Sequence, residues 1–227
     1  MIPIRDEIKT HRTPIVNYLL IAINVLVFLW MFLNAGRIEQ IFYQYALIPA
    51  KLWDGISPGD VSSFLTSMFM HGGWMHLLGN MLYLWIFGDN IEDRLGHIGY
   101  LLFYLAGGLA AAILQILINP SSTIPMVGAS GAIAAVLGAY LVMYPHSRVY
   151  TFIPIGYFAR LRLMPAIVVL GMWFLLQLFS GLGSLGAPDQ GGTAYFAHIG
   201  GFVFGLAMGF LFKKRARQPQ PAPPSWN

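Results

Sequence analysis

Long apolar runs, separated by short polar or proline-containing stretches, dominate the pattern of hydrophobic and polar positions along the chain. A transmembrane helix needs about 20 mostly apolar residues to cross a hydrocarbon core of roughly 30 Å. The pattern therefore predicts an all-α polytopic membrane protein with six transmembrane helices. In chain order, the predicted spans are residues 15–33, 75–89, 97–118, 130–144, 163–182 and 193–212.

The segment between the first two spans, residues 34–74, is long and rich in aromatic side chains. A solvated loop would be more polar, so we expect short helices that lie in the headgroup region. A polar N-terminal segment, residues 1–14, and a basic, proline-rich tail, residues 213–227, flank a membrane domain of residues 15–212. The polar start and the long first apolar run predict that the N-terminus is not a cleavable signal peptide.

Composition supports the same class of protein. Of the 227 residues, 57% are hydrophobic and 10% are charged, whereas soluble domains have roughly 45–50% and about 25%. These values exclude a water-soluble globule and a disordered chain. The chain has no cysteine, which excludes disulfides, thiol catalysis and thiolate metal sites.

Pro145, Pro154 and Pro165 predict only a break between the fourth and fifth spans.

Lysine and arginine residues favour the cytoplasmic side of a membrane, and here they are distributed unevenly. With six spans both termini lie on one side, and only Arg37 and Lys51 of the 13 basic residues fall on the other. Both termini are therefore predicted to be cytoplasmic. The net charge of +4 comes mainly from basic residues near the two ends and does not indicate nucleic-acid binding.

Four polar side chains at membrane depth are candidates for function, because such residues are costly in lipid. They are Ser130, His198, His76 and Asn80. At about 1.5 Å per helical residue, the first three lie roughly 19–22 Å above the cytoplasmic edge and Asn80 lies about 13 Å above it. The fourth span is too short to cross, so its N-terminus, which carries Ser130, is predicted to begin inside the membrane.

A serine hydroxyl and an imidazole in one layer suit acyl transfer. Ser130 would be the nucleophile and His198 the base that takes its proton. The unpaired backbone N–H groups around Ala129, together with Asn80 and His76, would hold the developing oxyanion. No aspartate or glutamate falls within a span core, so the sequence predicts a Ser–His dyad and not a triad.

Small residues surround these positions. Gly128 lets the chain turn sharply before Ser130, and we group it with the residues of the predicted oxyanion site. Gly201 and Gly205 fall on the same face of the sixth span as His198, at the spacing by which helices approach closely in lipid. This helix contact would bring His198 within reach of Ser130.

Each feature also has a purely structural interpretation. A serine between small residues is common, a membrane histidine often only hydrogen-bonds a neighbour, and His76 and Asn80 could join two helices. The shared depth favours function, because joining residues need not lie in one layer. Neither a metal nor another cofactor is predicted: His71 lies near His76, but no His-Glu-x-x-His helix or acidic ligand accompanies them.

Four ordered motifs resemble those of the rhomboid intramembrane serine proteases, over about residues 63–212. They are His-Gly-Gly-Trp-Met-His-Leu-Leu-Gly-Asn at 71–80, Gly-Asp-Asn-Ile-Glu-Asp-Arg-Leu-Gly at 88–96, Gly-Ala-Ser-Gly at 128–131 and Ala-His-Ile-Gly-Gly at 197–201. The resemblance implies a six-transmembrane-helix rhomboid fold. It also implies a serine endopeptidase that cleaves membrane-anchored proteins in or near their transmembrane segments.

The resemblance assigns the same roles to the four polar residues: Ser130 as nucleophile, His198 as general base, and Asn80 and His76 at the oxyanion. It implies single-span transmembrane proteins as substrates and the lipid bilayer as the only other partner. The expected location is a plasma membrane, most simply a bacterial inner membrane, with the active site opening to the outer face.

The resemblance also implies a lateral gate and cap, formed by the fifth helix and the loop of residues 183–192. Trp173 is similar to an aromatic residue of that gate. Some relatives carry a tyrosine where this chain has Ala134, a tyrosine that packs on the histidine. The sequence therefore leaves open what orients the imidazole.

Two other classes of protein are alternatives at this stage. The first is a non-catalytic membrane protein that binds clients, such as a chaperone. Inactive members of the rhomboid family lack the serine or the histidine, and this chain has both. The second is a transporter with a broken fourth helix, but the sequence contains neither inverted repeats nor charged midplane sites.

Overall fold

The computed structural model describes residues 1–53, 55–155, 158–185 and 193–215. This part of the chain is mainly helical, as predicted. Its helices are α1 (Ile15–Leu33), α2 (Ile38–Tyr45), α3 (Pro58–Thr66), α4 (Trp74–Ile118), α5 (Ser130–Met143), α6 (Ala166–Ser184) and α7 (Tyr195–Arg215). Residues 186–192 of the expected cap and residues 216–227 of the tail lie outside the described residues.

Four of these helices, α1, α4, α6 and α7, are long and apolar enough to cross a membrane, and α5 is shorter. Helix α4 has 45 residues, and at about 1.5 Å per residue it is more than twice as long as a bilayer core is thick. Gly96 interrupts it with φ 72° and ψ 167°, backbone angles that favour glycine. The interruption separates the second and third predicted spans, and the total of six crossings stays a prediction.

The prediction of an all-α protein is wrong in one region. Three antiparallel strands form a sheet in the order β1-β2-β3, where β1 is Ile2–Asp6, β2 is Arg148–Ile155 and β3 is Phe158–Pro165. The N-terminal segment, predicted only as a polar end, thus supplies an edge strand. The stretch with three prolines is a hairpin, because its β-branched and aromatic residues favour strands and Pro165 ends one.

The sheet also corrects the start of the fifth span. We predicted a helix from about residue 163, but Leu163 pairs with Tyr150 and Pro165 pairs with Arg148. Helix α6 begins only at Ala166. Leu163 and Met164 are apolar, which favours a membrane span, but both residues belong to the end of strand β3.

Helix α5 lies at the centre of the bundle. Every residue from Gly131 to Tyr140 is buried, which is typical of a helix that is apolar on all sides and faces protein all round. Helix α7 crosses it at very short range: a Cβ at Gly201 would collide with the carbonyl oxygen of Gly131, and one at Gly205 with that of Ala135. The small residues therefore make the close contact that their spacing predicted.

Short helices fill the segment before α4, as the sequence predicted. Besides α2 and α3 it contains 3-10 turns at Ala35–Arg37, Pro49–Trp53 and Ser67–Phe69. A capping box between Ser57 and Asp60 starts α3. Their position in the headgroup region stays a prediction.

A buried carboxylate joins the first long helix to α4. Glu92 is 1% exposed and accepts hydrogen bonds from the backbone N–H groups of Val16 and Asn17 at 2.9 and 2.7 Å. These amides belong to the first turn of α1, where intrahelical acceptors are lacking and negative charge is favoured. His97, just past the interruption, contacts the same carboxylate.

We predict that Gly205→Ala destabilises the fold, because the new methyl group would force the α5 and α7 backbones apart. The expected loss in free energy of unfolding is about 1–3 kcal/mol, measured by thermal unfolding in detergent. Gly171→Ala in α6 is the matched control, since a Cβ there meets nothing within 4 Å. Equal unfolding midpoints for the two variants would contradict the proposed packing constraint.

Candidate active site

Ser130 and His198 meet where α5 and α7 cross. Ser130 is the first residue of α5, and His198 lies in the first turn of α7. Their Oγ and Nε2 atoms are 2.7 Å apart, a hydrogen-bond distance. The close helix contact at Gly201, one turn after His198, explains why two short side chains can reach each other. The structure thus brings together the two residues that the sequence singled out first.

The other ring nitrogen of His198 faces α6. Its Nδ1 atom lies 2.7 Å from Oε1 of Gln177. The sequence analysis missed Gln177, although a glutamine amid the apolar residues of α6 is a recognisable signal. Trp173, one turn earlier on the same helix face, has its ring 5.8 Å from the imidazole at an angle of 34°. Two side chains of α6 therefore contact the imidazole where Ala134 offers no ring.

A second glutamine holds the start of α7. The Oε1 atom of Gln115 on α4 accepts a hydrogen bond from the backbone N–H of Ala197 at 3.1 Å. Ala197 directly precedes His198, so this contact fixes the helix turn that carries the imidazole. Gln115 is buried and was also not predicted.

His76 lies close to Gly128 and Ser130. Gly128 has φ +127°, and a Cβ built on it would lie 2.8 Å from Nε2 of His76 and 3.5 Å from Oγ of Ser130. The missing side chain therefore leaves a small space between an imidazole and a hydroxyl. The left-handed φ and this lack of room both require glycine at position 128.

Asn80, one turn after His76 on α4, contacts a third histidine. Its Nδ2 group lies 2.9 Å from Nε2 of His71, and His71 is 1% exposed. An asparagine amide has two N–H donors, so one can bind His71 while the other points elsewhere. His71, noted in the sequence only as a possible metal ligand, thus holds the side chain of Asn80.

The backbone amides near Ser130 divide into two kinds. The N–H of Gly128 donates to the carbonyl oxygen of Ser67 at 2.9 Å, so it is already occupied. Ala129 is the N-cap of α5 and Ser130 its first residue. The amides of a first helical turn have no intrahelical acceptor and attract anions.

A cavity of about 900 Å³ lies beside the side chains of this site. Its lining includes side chains of the neighbouring loops and all four predicted polar residues, which are Ser130, His198, His76 and Asn80. Within the ranges that the structure describes, no group of three or more histidine, cysteine, aspartate or glutamate residues is placed to hold a metal ion.

Comparison with known proteins identifies related chains. The family model of the Rhomboid domain matches residues 58–215. The chain is 28% identical to Rhomboid protein 1, mitochondrial, of Saccharomyces cerevisiae, over 91% of this chain and 55% of that protein. It is 31% identical to Rhomboid protease GluP of Bacillus subtilis, over 86% and 35%, and 34% identical to RHOMBOID-like protein 6, mitochondrial, of Arabidopsis thaliana, over 74% and 48%. It spans about a third to just over half the length of these relatives.

We predict that His71 makes stability depend on pH. Burial, with a smaller contribution from the neighbouring His76, lowers the pKa of His71 from 6.5 to about 4. Between these values the unfolded chain binds a proton that the folded protein does not, so the free energy of unfolding falls as the pH drops from 6.5 to about 4. The loss reaches about 3 kcal/mol and levels off at lower pH.

Thermal unfolding in detergent at pH 7 and about pH 5 tests this effect. His71→Asn should show a smaller drop in midpoint than the unaltered protein, because the variant has no imidazole to protonate. His11→Asn, at an exposed position, is the matched control and should keep the full drop. An unchanged drop in His71→Asn would refute the assignment.

Proposed function

The chain belongs to the rhomboid family, and on this basis we propose that it is an intramembrane serine endopeptidase. It is a multi-pass integral membrane protein. In our proposal it cleaves transmembrane segments of membrane-anchored proteins with a Ser–His dyad. The observation that carries the proposal is the distance of 2.7 Å between Ser130 Oγ and His198 Nε2 at the wall of a large cavity.

In the first step, Ser130 Oγ attacks the scissile carbonyl carbon while His198 Nε2 takes the hydroxyl proton. The resulting imidazolium then gives this proton to the amine of the leaving peptide, and an acyl-enzyme forms. Water attacks that ester with His198 again acting as base, which releases the second product and restores the serine. A hydrogen bond between Oγ and Nε2 is the starting geometry that this sequence of steps needs.

The oxyanion of each tetrahedral intermediate needs donors beside Ser130. The backbone N–H groups at the start of α5, at Ala129 and Ser130, supply two of them in our proposal. His76 and Asn80 supply side-chain donors from α4. Gly128 serves by its shape, because its own N–H is bound to Ser67 and its missing side chain leaves the space beside His76.

We propose six crossings, formed by α1, the two halves of α4 on either side of Gly96, α5, α6 and α7. In this arrangement most lysines and arginines lie on the same side as the two termini, so we propose that both termini are cytoplasmic. We also propose that the protein resides in a plasma membrane. The substrates are single-span transmembrane proteins, and the cavity opens to the outer face. Trp173 on α6, whose ring lies beside His198, would contact a substrate that enters past this helix.

We predict that Ser130→Ala and His198→Ala each abolish cleavage and leave the fold intact. Loss of a nucleophile or of its base costs several orders of magnitude in rate. The measurement is cleavage of a panel of single-span transmembrane substrates by purified protein in liposomes, with thermal unfolding as the check on folding. Full activity of Ser130→Ala would overturn the proposal.

A fluorophosphonate probe separates the protease from a non-catalytic protein that binds clients. The probe should label Ser130 in the unaltered protein and should label neither variant. Absence of labelling together with tight binding of single-span proteins would favour the client-binding alternative. The 2.7 Å contact between hydroxyl and imidazole argues for the protease, since binding alone does not need it.

We predict a smaller loss for Asn80→Ala, roughly 10- to 1000-fold in kcat, because one oxyanion donor of several is removed. The effect should appear in kcat and leave KM nearly unchanged, since the donor acts on charge that develops only in the transition state. Asn34→Ala, in the turn after α1, is a matched control. Equal kcat values for Asn80→Ala and the unaltered protein would exclude Asn80 from the oxyanion site.

A further inference from the structure

We propose that Gln177 is a positioning residue that keeps the proton of neutral His198 on Nδ1. The inference rests on the proposed function, because it explains how His198 can act as a base. It goes beyond the dyad by giving α6 a defined chemical role in the site. The sequence left the orientation of the imidazole open, and the contact between Gln177 and His198 answers that question.

The chemistry of imidazole makes the position of the proton decisive. A neutral histidine carries one N–H and one nitrogen with a free lone pair. Only an Nε2 with a free lone pair can accept the proton of the Ser130 hydroxyl, which lies 2.7 Å away. The proton of neutral His198 must therefore be on Nδ1, and an Nδ1–H buried in a protein needs an acceptor.

Gln177 provides this acceptor. Its Oε1 atom lies 2.7 Å from Nδ1, and a carbonyl oxygen can only accept a hydrogen bond. The contact thus favours the form of His198 with Nδ1 protonated and disfavours the form that would point a second N–H at Ser130. Gln177 occupies the place that a carboxylate occupies in a catalytic triad, but without a charge.

Apolar contacts between α6 and α7 flank Gln177 on both sides. One turn earlier, the ring of Trp173 lies 5.8 Å from His198, and Phe174 stacks on Phe202 of α7 at 4.5 Å and 15°. One turn later, a Cβ at Gly181 would meet Ile199 of α7 at 3.3 Å. The half-buried amide therefore lies at a contact between two helices that is packed one turn before it and one turn after it.

The decisive readout is the protonation of the two ring nitrogens. Nitrogen-15 spectra of protein with labelled histidine, recorded at neutral pH, distinguish a protonated from an unprotonated ring nitrogen. His198 is assigned by the signals that disappear in His198→Ala. The unaltered protein should show protonated Nδ1, and Gln177→Leu should shift the population toward protonated Nε2. Gln40→Leu, at an exposed position, should leave the spectrum unchanged.

Kinetics on the chain of 227 residues provide the second readout. Gln177→Leu should lower kcat about 10- to 100-fold with little change in KM, a smaller loss than the roughly 10⁴-fold seen when a triad carboxylate is replaced. Gln177→Glu should restore much of kcat and move the acid limb of the kcat/KM profile to higher pH, because a carboxylate stabilises the imidazolium. Gln40→Glu controls for the added charge.

The two readouts separate failure of this inference from failure of the proposed function. An unchanged His198 spectrum in Gln177→Leu would overturn the inference whatever the activity. So would a Gln177→Leu protein with normal kcat, or a Gln177→Glu protein whose pH profile matches that of Gln177→Leu. If the unaltered protein cleaves nothing, the proposed function fails, and the spectra still decide whether Gln177 sets the ring.

Discussion

The backbone contact between α5 and α7 is the constraint on which the rest of the structure depends. Gly201 and Gly205 bring α7 against the carbonyl oxygens of Gly131 and Ala135, closer than any side chain would allow. Ser130 directly precedes Gly131, so the same contact sets the distance from its hydroxyl to the imidazole on α7. The short distance between the two side chains therefore follows from the packing of two rigid helices.

The surroundings of His198 show how a membrane protein can orient a histidine without a carboxylate. An unpaired carboxylate among the apolar side chains of α6 would be costly, because charge is poorly solvated there. The amide of Gln177 accepts the same hydrogen bond without a charge. It would give an imidazolium less electrostatic support than a carboxylate would, so the proposed mechanism assigns a larger share of transition-state stabilisation to the oxyanion donors.

Much of this arrangement could be predicted from the sequence, because the membrane restricts where polar residues can lie. The lengths of the apolar runs predict the long helices. Counting residues along these runs predicts that Ser130 and His198 lie at one depth in the membrane. The sheet was missed because prolines at 145–165 were interpreted as breaks, whereas alternating Arg-Leu-Arg-Leu at 160–163 is a strand pattern. Gln177 was missed although it is a polar residue within a predicted span, the same feature that singled out Ser130 and His198. The hydrogen bond between Asn80 and His71 depends on tertiary packing, and no local sequence pattern predicts it.

The long segment before α4 hydrogen-bonds to the backbone just ahead of Ser130. Leu47 and Met126 exchange hydrogen bonds in both directions, at 3.2 and 2.8 Å, and Ser67 accepts from Gly128. Backbone groups in apolar surroundings must be satisfied, and these hydrogen bonds satisfy groups of Leu47, Met126 and Gly128 close to the start of α5. Past that point the chain becomes helical, and the amides of a first helical turn have no intrahelical acceptor. The segment therefore does more than lie against the bundle: it pairs with the backbone up to Gly128, directly before the helix start that we propose as part of the oxyanion site.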